Sequence, residues 1–181
     1  MKLLLYCTKA KPYLVDERKM RYHNFVLGDS SVLKSNEKDL VLNGKIVAEC
    51  DFETEEIYMA TNSFEAWYRT KTLNEEELRE KSCLRLDELY NYLDKDNNYK
   101  GYAIHIKNLH IFDKPKELYD YGMDFPISPI VKAPQNMMYA NGIGSRYILI
   151  SIRPEWLCKI LNGEKTIEVR KKVLKEMKEC C

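Results

Sequence analysis

Residues 147–170 read YILISIRPEWLCKILNGEKTIEVR, a sequence that predicts a strand, a helix and a second strand in succession. The apolar run at residues 147–152 is typical of a buried strand. Pro154 suits the first helical turn, where its missing N–H is not needed, and Asn162 and Gly163 can end the helix. Residues 165–170 alternate between polar and apolar side chains, which predicts the next strand.

The start of the chain repeats this order of apolar strand, basic residue and proline. Residues 2–8 predict a first strand, and Lys9, Lys11 and Pro12 follow it. Because a repeated beginning indicates a repeated unit, we expect a complete unit over residues 1–140. A partial second unit, a strand-helix-strand fragment, is expected over residues 141–181. The sequence NGIGS at residues 141–145 is the predicted linker between them.

The complete unit carries signals for both strands and helices. Asn43-Gly44 predicts a hairpin turn that leads into a long strand through Ile57. Residues 72–93 predict two short helices with caps at Thr72 and Ser82. Residues 102–112 predict a strand long enough to bend around a small barrel. We therefore expect an α+β fold, in which a small mixed β-barrel has flanking helices.

Three shorter segments complete this expectation. Phe64, Trp67 and Tyr68 have the spacing of one helical face and are expected in the core. A short helix is predicted around Leu118. Residues 135–139 predict one more strand after a stretch that contains several prolines.

Composition and apolar patterning favour a soluble intracellular protein. The chain has 181 residues, of which 45% are hydrophobic and 31% charged, and this balance excludes disorder and fibrous classes. The longest apolar runs are far shorter than the about 20 residues that a membrane span needs, and the start of the chain lacks the apolar length of a signal peptide. The cysteines form no CxxC motif, so we expect reduced thiols and a cytoplasmic location.

The charge of the chain is unevenly distributed. The net charge is +1, but residues 141–181 carry nine Lys/Arg and five Asp/Glu, a net charge of +4. Such an asymmetry is compatible with an anionic partner, although terminal segments rich in lysine are commonly only solvated.

Two motifs in the C-terminal part resemble a known family. Residues 150–156, ISIRPEW, and residues 163–170, GEKTIEVR, resemble the opening of an ASCH domain, a PUA-like β-barrel family whose most specific signature is G-x-K-x-x-E-x-R. Residues 101–139 resemble the closing part of the same family. The first 140 residues thus resemble a divergent ASCH barrel without the signature, and the remainder resembles the first third of a second barrel.

The resemblance implies a role that involves RNA. PUA-like barrels bind RNA or modified bases in a cleft beside the barrel. Some ASCH proteins resemble amidohydrolases of acylated cytidine, and others act as ribonucleases. In the amidohydrolase branch this strand supplies a Lys and, three residues later, a Thr; here Lys165 has the first position and Glu168 stands at the second. These two residues are the candidates for catalysis, and whether the chain is an enzyme stays open.

The signature strand also supplies candidates for ligand binding. Glu168 and Arg170 share one face of the strand, while Lys165 is expected on the other unless a bulge intervenes. This favours a charge-assisted pair in which Glu168 holds Arg170, so that Arg170 or Arg153 faces a phosphate or base edge. The alternative is a surface ion pair that contributes little to stability.

Further candidates lie near the ends of other predicted strands. Lys9, Lys11 and Tyr13 place cations beside an aromatic ring, an arrangement that can stack a base and neutralise phosphate, although solvated lysines at a strand end are the simpler interpretation. Gln135 could contact a base edge with its amide, or simply end a strand.

The sequence gives no support for a metal or a cofactor. His105 and His110 are five positions apart on one predicted strand and are therefore expected on opposite faces, so no metal site is predicted. No nucleophile elbow or catalytic triad signature occurs, and no cofactor is predicted.

Three functions remain. The first is an RNA- or nucleotide-binding PUA-like module that uses a basic cleft. The second is a hydrolase of RNA or of an acylated nucleoside, with Lys165 as base or electrostatic stabiliser. The third is a protein-interaction module of the kind found in phages and mobile elements, a homodimer formed through open edges of the C-terminal fragment.

Overall fold

The structure, a computed structural model, describes residues 1–8, 21–22, 25–26, 44–61, 66–94, 100–123 and 128–178. It has both strands and short helices, so the predicted α+β class is confirmed. No helix in these ranges is long and apolar enough to cross a membrane. The strands and helices are β1 (Lys2–Cys7), β2 (Arg21–Tyr22), β3 (Phe25–Val26), β4 (Ile46–Thr61), β5 (Ala66–Arg69), α1 (Glu75–Ser82), α2 (Leu86–Asp94), β6 (Lys100–Lys116), a 3₁₀ turn (Leu118–Asp120), β7 (Met137–Gly142), β8 (Ser145–Ile152), α3 (Pro154–Leu161), β9 (Ile167–Arg170) and α4 (Lys175–Lys178).

Seven strands form one open sheet. Its hydrogen-bonded order is β7-β8-β1-β4-β6-β9, with β5 beside β4, and β2 pairs separately with β3. β1 runs antiparallel to β4 and parallel to β8. The long strands predicted after residue 46 and around residues 102–112 are confirmed as β4 and β6. In the described part of the chain β7 and β9 end the strand order, and a closed barrel stays a prediction.

The chain divides into two compact units. Unit 1 comprises Met1–Asp51 and Asn108–Gly163, and unit 2 comprises Phe52–Lys107 and Glu164–Cys181. Each unit thus combines residues from both sides of the predicted boundary at residues 140 and 141, and that boundary stays a prediction.

Unit 1 is built on the parallel pair β1 and β8. β1 is buried from Leu3 to Cys7 and β8 from Ile148 to Ile152, as expected for strand segments covered on both faces. Pro154 lies in the first turn of α3, and the helix gives way to a turn at Asn162 and Gly163, as predicted. The core of this unit contains Leu4, Tyr6, Ile46, Phe112, Tyr121, Ile130, Ala140 and Leu149.

The predicted linker at residues 141–145 is wrong. Asn141 and Gly142 end β7, Ser145 begins β8, and the two strands form an antiparallel hairpin. Gly144 has a φ of 73°, which glycine adopts without the steric cost that other residues carry. Glycine and polar residues mark a tight hairpin turn as well as a linker, and the flanking strand pairing decides between them.

Unit 2 packs α1 and α2 against strand segments. Its core contains Ile57, Tyr68, Leu73, Leu78, Leu89, Leu93, Ala103, Ile167 and Val169. The two short helices are confirmed, but both predicted caps are wrong. α1 is capped by Asn74, two residues after Thr72, and the Asn74 side chain accepts from the Glu77 N–H in a capping box. The Thr72 hydroxyl donates to Glu55. Ser82 is the last residue of α1.

The aromatic segment before α1 is a strand. Trp67 and Tyr68 lie in β5, which pairs antiparallel with β4, so the predicted helical face is wrong, although Tyr68 is buried as expected. Phe64 lies outside the described residues. Three aromatic residues are too few to separate the helical from the strand period.

Glu55 and His105 form a pair of titratable side chains in unit 2. Glu55 Oε1 lies 2.7 Å from His105 Nε2, and Glu55 Oε2 accepts from the Thr72 N–H at 3.0 Å. Partial burial alone would raise the pKa of Glu55, but hydrogen bonds from Thr72 and Thr70, with the charge of His105, hold that pKa below its ordinary value of 4.5.

We therefore expect acid to destabilise unit 2 through Glu55. A carboxyl whose pKa is lower in the folded state contributes stability above its unfolded pKa and loses it as the pH falls through the folded value. Chemical denaturation between pH 7 and pH 3 should show a smaller loss of unfolding free energy in Glu55→Gln than in the wild type. Glu53→Gln, which removes an exposed carboxylate on the same strand, should retain the wild-type loss. Equal acid sensitivity of Glu55→Gln and wild type would contradict the assignment.

Candidate functional site

Lys165 is buried between the end of α1 and the start of β9, both in unit 2. Its side chain is 2% exposed. The Nζ group donates to the carbonyl oxygen of Ser82 at 2.6 Å, one of the last carbonyls of α1, which lack partners within the helix. The neighbouring Thr166 N–H donates to the Lys81 carbonyl at 2.9 Å. These two bonds fix the entry of β9 at the C-terminus of α1.

The three charged residues of the signature motif form one chain of contacts. Lys165 Nζ lies 3.3 Å from Glu168 Oε2, and Arg170 Nη2 lies 2.9 Å from Glu168 Oε1. The predicted pair between Glu168 and Arg170 is confirmed. Since Lys165 precedes β9, strand alternation does not direct its side chain, and it reaches the same carboxylate.

Burial distinguishes this chain of contacts from a surface ion pair. The side chains of Glu168 and Arg170 are 10% and 13% exposed. Burial lowers the pKa of Lys165, while the carboxylate of Glu168 opposes this shift because it favours the charged amine. The Glu168 carboxylate is thus placed between two cations in a mostly desolvated environment, where losing a partner is costly.

Two of the candidates in unit 1, Gln135 and Arg153, lie on segments that meet at Ser151. Ser151 donates its hydroxyl to the Pro134 carbonyl at 2.7 Å and its N–H to the Asn136 carbonyl at 2.9 Å, so Gln135 lies between two contacts of Ser151. Arg153 follows two residues later, and both Gln135 and Arg153 are exposed. Lys9, Lys11 and Tyr13 lie outside the described residues.

Sequence reasoning missed a set of tyrosines and lysines in unit 2. Lys178 Nζ lies 5.2 Å from the ring centroid of Tyr102 on β6, and Lys171 Nζ lies 5.7 Å from that of Tyr92 on α2. Interaction with the Tyr102 hydroxyl raises the pKa of Lys178, which stays protonated. The run of cations after residue 170 was visible in the sequence, but the rings that it meets come from elements at least 68 positions earlier.

Close packing at Gly101 of β6 brings this strand together with α2 and β9. A Cβ atom there would lie 2.6 Å from Leu93 Cδ2 and 3.2 Å from the Arg170 carbonyl oxygen. Leu93 follows Tyr92, and Tyr102 lies directly opposite Arg170 in the register of β6 and β9. Gly101 and Ala103 face α2, so strand alternation places Tyr102 on the opposite face of β6. The Tyr92–Lys171 and Tyr102–Lys178 contacts therefore flank one region from two sides, the end of the sheet at β9. We name it the basic–aromatic surface, formed by Tyr92, Tyr102, Lys171, Lys172, Lys175 and Lys178.

The C-terminal segment of this surface is rich in positive charge, and the carboxylate of Glu56 on β4 lies close enough to act on Lys178. Residues 170–178 contain five Lys/Arg and one carboxylate, that of Glu176. Lys172, Lys175 and Lys178 are exposed, and Tyr92 is 40% exposed. Cations that alternate with accessible rings can neutralise phosphates while the rings stack on bases.

Other site classes receive no support from the described residues. Within those ranges no group of three His, Cys, Asp or Glu side chains could hold a metal ion. No family model, curated protein or solved structure gives a significant match to this chain. The geometry of the basic–aromatic surface and of the Lys165 contacts therefore carries the functional argument.

Proposed function

We propose that this chain is an RNA- or nucleotide-binding protein of the PUA-like, ASCH type, and that its ligand binds on the basic–aromatic surface of unit 2. One observation carries the proposal. Five cations and a single carboxylate occupy residues 170–178, and two of the ammonium groups lie over tyrosine rings. Protein surfaces that bind single-stranded nucleic acid combine these same two components.

The buried contacts of Lys165 hold in place the segment that carries the surface lysines. Lys165 fixes the entry of β9 and, through Glu168, the guanidinium of Arg170, which is the first cation of the C-terminal run. In this proposal Lys165 and Glu168 are positioning residues, since their own charges are directed inward. A catalytic role for either residue stays a prediction, and so does a homodimer.

A salt series tests the proposal. We expect a fluorescein-labelled 12-nucleotide RNA to bind the whole chain, with log K falling linearly as log salt rises. Each phosphate that is neutralised in a single strand contributes about −0.7 to this slope, so five cations give at most about −3.5. Fluorescence anisotropy between about 0.05 and 0.3 M KCl measures both quantities. Affinity that does not change with salt, or no binding at the lowest salt, would rule the proposal out.

A further inference from the structure

We propose that the basic–aromatic surface selects unpaired RNA over duplex RNA, with Tyr102 and Tyr92 as the residues that make the distinction. This inference rests on the proposed function and names its substrate class. Lysines contact phosphates in either form of RNA and cannot separate the two. A ring can stack only on a base whose face is free, and the faces of bases in a duplex are covered by their neighbours.

Each of the two rings meets one ammonium group; Tyr92 is 40% exposed and Tyr102 is half-buried. Lys178 is exposed, and it reaches the Tyr102 ring from α4, an element separate from β6. Lys171 reaches the Tyr92 ring from the residue that follows β9. A lysine side chain is flexible and its ammonium is strongly hydrated, so a base can take its place on the ring while the ammonium moves to the adjacent phosphate.

The two tyrosines are held by well-packed elements. Tyr102 stands in β6 opposite Arg170, and Tyr92 precedes Leu93, whose side chain is buried in the core of unit 2. Close contact at Gly101 joins both segments, which limits the movement of the backbone that carries each ring. Rigid platforms reduce the entropy that binding costs, which strengthens the preference for a strand with free bases.

The experiment compares one RNA sequence in two forms. An unstructured 12-nucleotide RNA and its blunt duplex are titrated against the whole chain at the same salt concentration. Stacking contributes about 5- to 150-fold for each base. We therefore expect the single strand to bind at least about tenfold more tightly, and Tyr102→Leu to remove most of that difference while the duplex affinity and the salt slope stay unchanged.

Two further variants complete the design. Tyr92→Leu should give a loss in the same direction. Tyr119→Leu, which removes a tyrosine that is 65% exposed in unit 1, is the matched control and should bind both forms as the wild type does. Thermal unfolding of each variant, followed by circular dichroism, establishes that the fold is retained.

The outcomes separate the two proposals. Salt-dependent binding with equal affinity for both forms would overturn the selection of unpaired RNA and leave RNA binding standing. Equal losses for single strand and duplex in Tyr102→Leu would have the same meaning. No binding to either form would overturn the proposed function and this inference with it.

Discussion

Replacing Lys165 with methionine is expected to lower the free energy of unfolding by about 3 kcal/mol, the lower end of the cost of removing one partner from a buried ion pair. Methionine has similar length but no donor. The variant therefore leaves the Ser82 carbonyl without the bond that it accepts at 2.6 Å. It also leaves the mostly buried carboxylate of Glu168 with one cation, Arg170, in place of two.

Urea denaturation at neutral pH measures this effect. Lys71→Met is the matched control, because Lys71 is exposed in the same unit, and surface changes of this kind usually stay within about 0.5 kcal/mol. Equal unfolding free energies for the two variants would show that the Lys165 contacts do not stabilise the fold. They would also remove the argument that Lys165 positions β9 and Arg170.

The positioning role has a separate readout in RNA binding. A Lys165→Met protein that remains folded should bind the 12-nucleotide RNA more weakly and with a smaller salt slope, because Arg170 is no longer held by a fixed Glu168. A purely structural role would lower stability and leave the slope of the folded protein unchanged. The two measurements together distinguish support of the binding surface from support of the core alone.

Periodicity predicted the regular elements well, because it reports local physics. The strands β1, β4, β6 and β8 and the helices α1, α2 and α3 lie where the sequence pattern placed them, whereas α4 was not predicted. The pair between Glu168 and Arg170 was also predictable, since residues two apart on a strand share a face. These inferences need only the residues within one element.

Long-range contacts account for what the sequence did not show. The hydroxyl of Thr72, the predicted cap, donates to Glu55, 17 positions earlier. The partner of Lys165 is a backbone carbonyl 83 positions away. Neither contact can be predicted from the periodicity of the local sequence. The contacts of Tyr92 and Tyr102 could not be predicted for the same reason, because Lys171 and Lys178 come from a distant segment of the chain.

Replacing all four surface lysines with glutamine, as Lys171→Gln, Lys172→Gln, Lys175→Gln and Lys178→Gln in one protein, is expected to have the largest effect on binding. Each phosphate contact with a single strand contributes about 0.7 to the salt slope, so four contacts remove about 3. The same relation predicts an affinity loss of about 10²- to 10³-fold at about 0.1 M salt. Anisotropy with the 12-nucleotide RNA measures both values.

The control for this variant carries the same change in net charge at other positions. It replaces four lysines outside the basic–aromatic surface, Lys71, Lys81, Lys114 and Lys132, with glutamine. If binding depended only on net charge, both quadruple variants would lose affinity and slope equally, and the surface would have no special role. Because phosphate contacts act over short distances in salt, we expect the control to keep a slope within about 1 of the wild type. The selective loss then locates RNA at the end of the sheet that Tyr92 and Tyr102 flank.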